Sequence, residues 1–324
     1  MKNCSLKQIA EILQNGKTIL LFPHMQIDGD ALGSSVALCR VLRKQGKQAY
    51  ILIEEEIRWN LAFLDEEYCI SDQEIFDEID ICLAVDCSDL ARVGKRKGTY
   101  FSGKRTISID HHLTNISFAD YNYNDGSAAA TGEIVFRLFK EMESDIDSLT
   151  AEALYAAIVT DTGNFQYSNT TKETHLITAN LYDYGMDHNK VIVSIYQNTR
   201  REKVKIISKA LSTMEFFCNG KGNIAYVSRD MLQETGALIN ETEGIVEQLR
   251  NINGVEISIF LKEEADTIKV GMRAKTIANV AEIAQYFGGG GHKKAAGCTI
   301  KGTLENVKTQ IIGVAEDHLK TLER

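Results

Sequence analysis

Four short apolar runs, at residues 17–22, 48–53, 80–86 and 106–110, recur along the first third of the 324-residue chain, with longer stretches between them. Such alternation predicts a parallel sheet, because each return to a parallel neighbour needs a crossover of a dozen or more residues, usually a helix. Three of these strands end in the same kind of residue. Thr18–Phe22 leads into His24-x3-Asp28-x-Asp30, Ile81–Val85 into Asp86, and Thr106–Ile109 into Asp110-His111-His112. In open α/β sheets the carboxyl ends of the strands gather on one edge, where these proteins place their sites. A further aspartate, Asp161, ends the apolar helix-like stretch Ala151–Val159 and opens Thr162-Gly163-Asn164-Phe165.

Imidazoles and carboxylates in one place are a metal-ligand set. Without thiolates the set leans toward the harder ions, and Mn²⁺ is the expected one. Two such ions need a bridging carboxylate and can then activate water and stabilise a leaving oxygen of a phosphoester; Asp86 is the candidate bridge. Each residue alone has a plainer reading. His24 is then a hydrogen-bonded turn histidine, Asp28-Gly29-Asp30 a turn that caps the helix-like segment Ala31–Gln45, and Asp86 another cap. The coincidence of three successive strand ends favours the metal reading.

These residues resemble a known family. His24-x3-Asp28-x-Asp30, Val85-Asp86-Cys87-Ser88-Asp89, Asp110-His111-His112 and Thr160-Asp161-Thr162-Gly163-Asn164-Phe165 are similar to the four motifs of the DHH phosphoesterase superfamily. Gly288-Gly289-Gly290-Gly291-His292-Lys293-Lys294-Ala295-Ala296-Gly297 resembles the glycine-rich substrate motif of the DHHA1 domain. The two-domain form resembles nano-RNase/pAp phosphatases and the stand-alone phosphodiesterases of cyclic di-AMP and pApA. The resemblance implies that His24, Asp28 and Asp86 hold one Mn²⁺ and that Asp30, Asp86, His111 and Asp161 hold the other. It places His112 against the scissile phosphate and has Asp110 accept a ligand histidine's other N–H, fixing its tautomer. Asn115, Thr114, Ser127 and Thr131 match stretches that line the family's site; Ser127 also reads as a helix start. The family's usual proline before the first aspartate is Ile27 here.

In the second half, Gly289, Gly290, Gly291 and His292 read as a phosphate clamp: glycines permit the positive φ angles that turn successive N–H groups toward one anion, and Lys293 and Lys294 add charge. Four glycines alone would read as a linker; the basic cluster and the β-like residues after it argue for a held loop. Arg273, closing the strand-like Thr267–Met272, resembles the family's phosphate-binding arginine.

The expected fold is α/β, a parallel-sheet DHH domain (1–187) followed, through a helical connector (188–212), by a smaller α+β DHHA1 domain (213–324), with the active site in the cleft between them. The second domain is expected to have strands at 213–218, 223–228, 255–261, 267–273 and 296–300, and helices at 230–250, 278–286 and 303–321. Two domains also suit the length. Seven cysteines without Cys-x2-Cys pairing read as reduced thiols of a cytoplasmic protein, and no signal-peptide or membrane-span pattern is present. The net charge of −9 and the lack of a long basic run exclude extended duplex nucleic acid as a partner.

The resulting expectation is an Mn²⁺-dependent phosphoesterase that cuts short 5′-phosphorylated oligoribonucleotides or pApA to mononucleotides and pAp to AMP, with cyclic di-AMP the alternative substrate and a homodimer implied by the resemblance. Three other readings stay open: an inorganic pyrophosphatase, though that family's second domain does not resemble this glycine motif; a long-chain single-strand DNA exonuclease, though those enzymes carry further modules; and a non-catalytic nucleotide sensor, which would be expected to have lost ligands.

Overall fold

The computed structural model describes residues 2–65, 67–71 and 78–322. The chain divides into two compact units between Asn198 and Thr199.

Among the described residues the first unit has seven strands: β1 (Lys2–Asn3), β2 (Thr18–Pro23), β3 (Gln48–Leu52), β4 (Cys69–Ile70), β5 (Ile81–Val85), β6 (Arg105–Asp110) and β7 (Tyr121–Asn124). They form one sheet in the order β1-β7-β6-β5-β2-β3-β4, and every pairing is parallel. Its helices are α1 (Leu6–Asn15), α2 (Gly29–Lys44), the single turn α3 (Lys97–Tyr100), α4 (Thr131–Glu141), α5 (Ser148–Asp161), α6 (Lys172–Asp183) and α7 (His188–Tyr196). Ile19, Leu21, Leu83, Val85, Ile107 and Ile109 face a core shared with α1, α2, α4 and α5, while Leu20, Phe22, Cys82 and Ala84 face Val93 and Tyr100 on the other side. Burial on both faces makes the central strands continuously apolar and hence legible. The strands β1, β4 and β7 were not expected: two have two residues each, and the third is a polar Tyr-Asn-Tyr-Asn.

The strand order reverses between β2 and β5. Chain progress runs from β2 toward β4 on one side and from β5 toward β7 on the other. A crevice at such a switch point is where open α/β sheets bind ligands.

A close helix contact lies beneath it. A Cβ on Gly33 of α2 would stand 2.4 Å from the Ala153 carbonyl of α5, and one on Gly29 would stand 2.4 Å from Thr160 Oγ1. The two glycines, one turn apart, let the helices pack backbone to backbone. The antiparallel pair is pinned at its other end by Asp147, which caps α5 through Thr150 N (2.8 Å) and accepts from Arg40 Nη2 and Lys44 Nζ, both at 2.8 Å.

The second unit contains α8 (Arg201–Ser212), α9 (Arg229–Thr235), α10 (Ile245–Arg250), α11 (Val280–Tyr286) and α12 (Leu304–Thr321). Its strands β8 (Glu215–Phe217), β9 (Gly222–Val227), β10 (Ile257–Glu263), β11 (Thr267–Ala274), β12 (Gly290–His292) and β13 (Ala295–Lys301) form a mixed sheet in the order β12-β13-β11-β10-β9-β8. Two expectations are revised. The helix expected at 230–250 is broken into α9 and α10, because Gly236 ends α9 in the left-handed region (φ 69°) and Gly244 (φ 88°) precedes α10. The expected connector is divided, with α7 packing on α5 and α8 on β9. No helix among the described residues is long and apolar enough to cross a membrane.

Candidate metal centre and substrate face

Parallel register builds the centre. Pro23 pairs with Val85 and Val85 with Ile109, so the next residues along the three strands are His24, Asp86 and Asp110. Asp86 holds a left-handed backbone (φ 60°), rare for a non-glycine residue, and its N–H donates to the Ile109 carbonyl at 2.9 Å. The β2–α2 turn adds Asp28 and Asp30, and the carboxyl end of α5 adds Asp161.

Two groups result. His24 Nε2 lies 3.2 Å from Asp28 Oδ2 and 3.4 Å from Asp86 Oδ2. His111 Nε2 lies 3.3 Å from Asp161 Oδ2, 3.8 Å from Asp30 Oδ2 and 3.6 Å from Asp86 Oδ1. Asp86 therefore gives one oxygen to each group. The capping reading of Asp28 also holds, on its other oxygen: Oδ1 accepts from Ala31 N at 3.0 Å. Asp30 is held by Ser34 Oγ (3.0 Å), Thr131 N (2.6 Å) and Gly132 N (3.0 Å), so it caps the neighbouring helix α4 as well. Thr131 Oγ1 donates to Asp86 Oδ1 at 2.9 Å. Ser127, expected at a helix start, instead donates to Asp125, and α4 begins at Thr131.

The donor set fits divalent cations. His24 Nδ1 donates to the Met25 carbonyl (2.7 Å) and His111 Nδ1 to the Ala128 carbonyl (3.2 Å), leaving both Nε2 atoms aimed at the carboxylates. His24 Nε2 is buried and makes a good hydrogen bond to nothing. Burial disfavours charge on His24, yet Asp28 and Asp86 outweigh it and push its pKa up to about 10. Burial, with the Asp86, Asp161 and Asp28 carboxylates, holds Asp30 well above the usual range. Asp161 is pushed up to about 6 by burial and by Asp86 and Asp28, against the pull of His111. Carboxylates crowded this way call for a cation. Cys87 lies outside the ligand groups, its buried Sγ–H donating to the Phe22 and Val85 carbonyls at 3.6 Å.

Asp110 does orient a histidine, but not one of the expected metal ligands. Its Oδ1 is 2.7 Å from His112 Nδ1, and its Oδ2 accepts from Asn115 Nδ2 at 2.7 Å. His24 and His111 use backbone carbonyls instead. The Asp110 hydrogen bond raises the His112 pKa above its usual value despite burial. Thr114 is exposed. Sequence reading missed Arg92, whose Nε is buried without a hydrogen bond and whose charge is felt at both Asp28 and His112. It lines a cavity of about 380 Å³ with Met25, Gln26 and Glu55; its place six residues after Asp86 was the available signal. Ile27, where the family has proline, spends its extra N–H on Glu55 Oε1 at 2.6 Å.

In the second unit the glycine run is not a free loop. Gly288 N and Gly289 N donate to Gln285 and Ala284 carbonyls, closing α11 as a Schellman motif, and Gly290–His292 form the edge strand β12. The expected nest of consecutive amides is thus largely used up. Lys294 Nζ is bound to the Thr276 and Ala278 carbonyls. Arg273 lies in β11, one residue before its end, with Nε on Glu247 Oε1 at 2.9 Å. Arg273 pairs with Ala295, and Ala295 with His292, so the two side chains share one face on either side of an alanine.

Residues 18–207 match the N-terminal domain of the DHH family and residues 219–321 the DHHA1 domain. The chain belongs to the DHH family and is a phosphoesterase. Among its relatives, the bifunctional oligoribonuclease and PAP phosphatase NrnA of Thermus thermophilus is 32% identical over 317 residues, 97% of this chain and 94% of that protein. The Bacillus subtilis protein of the same name is 29% identical over 288 residues, 87% and 89% of the two chains. An exopolyphosphatase-related protein from Bacteroides fragilis superimposes with a TM-score of 0.88 at 26% identity, covering 98% of this chain and 95% of that one.

Proposed function

We propose that the chain is an Mn²⁺-dependent phosphoesterase that hydrolyses short 5′-phosphorylated oligoribonucleotides, pApA among them, to mononucleotides, and pAp to AMP. The observation that carries this reading is Asp86, which presents one carboxylate oxygen to each of two histidine–carboxylate groups. His24, Asp28 and Asp86 would hold one ion, and Asp30, Asp86, His111 and Asp161 the other. Bound there, two divalent ions supply Lewis acidity to the phosphoryl oxygens and a nucleophile at neutral pH.

The chain's own groups do the rest. Asp110 holds the proton on His112 Nδ1 and turns the ring, so that Nε2 can donate to charge developing on the phosphoryl group. Arg273 and His292, sharing a sheet face, take the terminal phosphate of the substrate. The names of the two NrnA relatives support the nucleotide class.

The test is incubation of the Mn²⁺-loaded protein with pApA, a 5′-phosphorylated RNA trimer, pAp, cyclic di-AMP and pyrophosphate, with products resolved by chromatography. Mononucleotide from the linear substrates is the expected result. Turnover of cyclic di-AMP alone would move the assignment to the cyclic dinucleotide, and phosphate from pyrophosphate alone would overturn it.

A further inference from the structure

Across the sheet of the second unit, Lys262 of β10 pairs with Lys269 of β11, which pairs with Thr299 of β13. Directly opposed residues of antiparallel strands share a face, so both lysines project to one side. The opposite face is one core, where Val270, Met272, Ala296 and Cys298 are packed, and on the lysines' own face Phe260, opposite Gly271, packs against Ile245, Val246 and Leu249 of α10. A cavity of about 550 Å³ opens beside Lys262, Lys269 and Thr299. Its floor continues through Gly271 and Gly297, and Gly297 pairs with Gly290; the row beyond is Arg273, Ala295 and His292.

Two observations mark this cavity as built for an anion. Lys262 is half-buried and joins none of the ion pairs found among the described residues, while Lys269 is paired at 2.8 Å with Glu264 alone. Burial disfavours the charge on Lys262, against the opposing fields of Glu243 and Glu247, and a bound anion would relieve that cost. Second, Gly271, which lines the cavity, is not required by the chain's own packing: a Cβ there would meet nothing nearer than 3.9 Å, and its φ is not positive. Glycine weakens a strand, and in a regularly paired strand it marks a place where a ligand or another backbone can approach closely.

We propose that Lys262 and Lys269 form a second phosphate subsite, which takes a backbone phosphate of a single-stranded oligonucleotide whose terminal phosphate lies at Arg273 and His292. This rests on the function proposed above. Lys269 is four residues from Arg273 along β11, a separation of roughly 13 Å at the rise of an extended strand. That distance corresponds to about two internucleotide steps of an extended single strand, so the subsite engages a trinucleotide and is out of reach of pAp.

The experiment measures binding of the full-length, Mn²⁺-loaded protein to a hydrolysis-resistant 5′-phosphorylated phosphorothioate RNA trimer and to pAp. The Lys262→Met/Lys269→Met variant should weaken trimer binding about tenfold, leave pAp within about twofold, and lower the slope of log affinity against log salt by about 0.7 per lost contact. Gly271→Val should weaken the trimer selectively while the Tm stays level or rises, an outcome that a merely structural glycine would not give. Unchanged trimer affinity in both variants, or equal losses for trimer and pAp, overturns the subsite. If wild-type protein binds the trimer through these lysines but hydrolyses no member of the nucleotide panel, the proposed function fails while the subsite stands.

Discussion

Asp110 and Asp30 are both buried carboxylates beside the His111–His112 pair, yet they have different work to do. Asp30 accepts three hydrogen bonds and faces His111, whereas Asp110 faces His112 and Asn115. Asp110→Asn should therefore keep its bound metal and lose about 10–100-fold in kcat through a misoriented His112; metal content and kcat measured on one sample check this, and loss of metal would contradict it. Arg92→Ala should raise KM for phosphorylated substrates about tenfold, the cost of one charge-assisted contact, with Arg92→Lys recovering part of the loss. A wild-type KM would remove Arg92 from the site. At this scale the metal-ligand candidates were legible, because acidic and imidazole groups stood at successive strand ends. Their partners were not. Which carboxylate meets which histidine depends on residues opposite in space, and the Met25 and Ala128 carbonyls that orient His24 and His111 carry no side-chain signal.

The helix pair α2–α5 decides whether the centre exists, since it brings Asp161 to the β2–α2 turn. Gly33→Leu forces a side chain into the Ala153 carbonyl and should cost about 1–3 kcal/mol by overpacking, with a larger proportional loss of activity as Asp161 is displaced. Chemical denaturation and turnover of the same variant check this; intact activity at reduced stability would uncouple the pair from the site. At the far end, Asp147→Ala should cost about 1–2 kcal/mol through the lost cap and ion pairs. Hydrogen bonds from Arg40, Lys44 and Thr150 outweigh burial and hold the Asp147 carboxyl below its usual range, so its contribution is fully present above the unfolded value near 4 and fades as pH falls through the folded one. The difference in stability between wild type and Asp147→Ala should thus shrink below about pH 4; a gap that persists there would contradict the assignment. Central strands were legible because burial on both faces leaves an unbroken apolar run. The glycine run was not, because four residues without side chains show no periodicity to tell edge strand from loop, and two positive-φ glycines broke a helix that apolar spacing alone had joined.

Each unit of the molecule has its own apolar core, so each should remain folded after cleavage in the non-helical segment 197–200. Two Mn²⁺ ions, each at one hundred times its Kd, should then stabilise the fragment carrying residues up to 198 by about 5 kcal/mol, about 2.7 kcal/mol per site, and leave the other unchanged. Calorimetry of the separated fragments decides this. The net charge of −9, unexpected for a handler of anions, includes Asp28, Asp30, Asp86 and Asp161, which two divalent ions would neutralise locally. The most direct test of the central claim is the number of Mn²⁺ ions bound per chain, counted by native mass spectrometry of the metal-stripped and reloaded protein. The account predicts two ions in the wild type and loss of at least one in Asp86→Ala; no bound Mn²⁺, or two ions retained without Asp86, would contradict it.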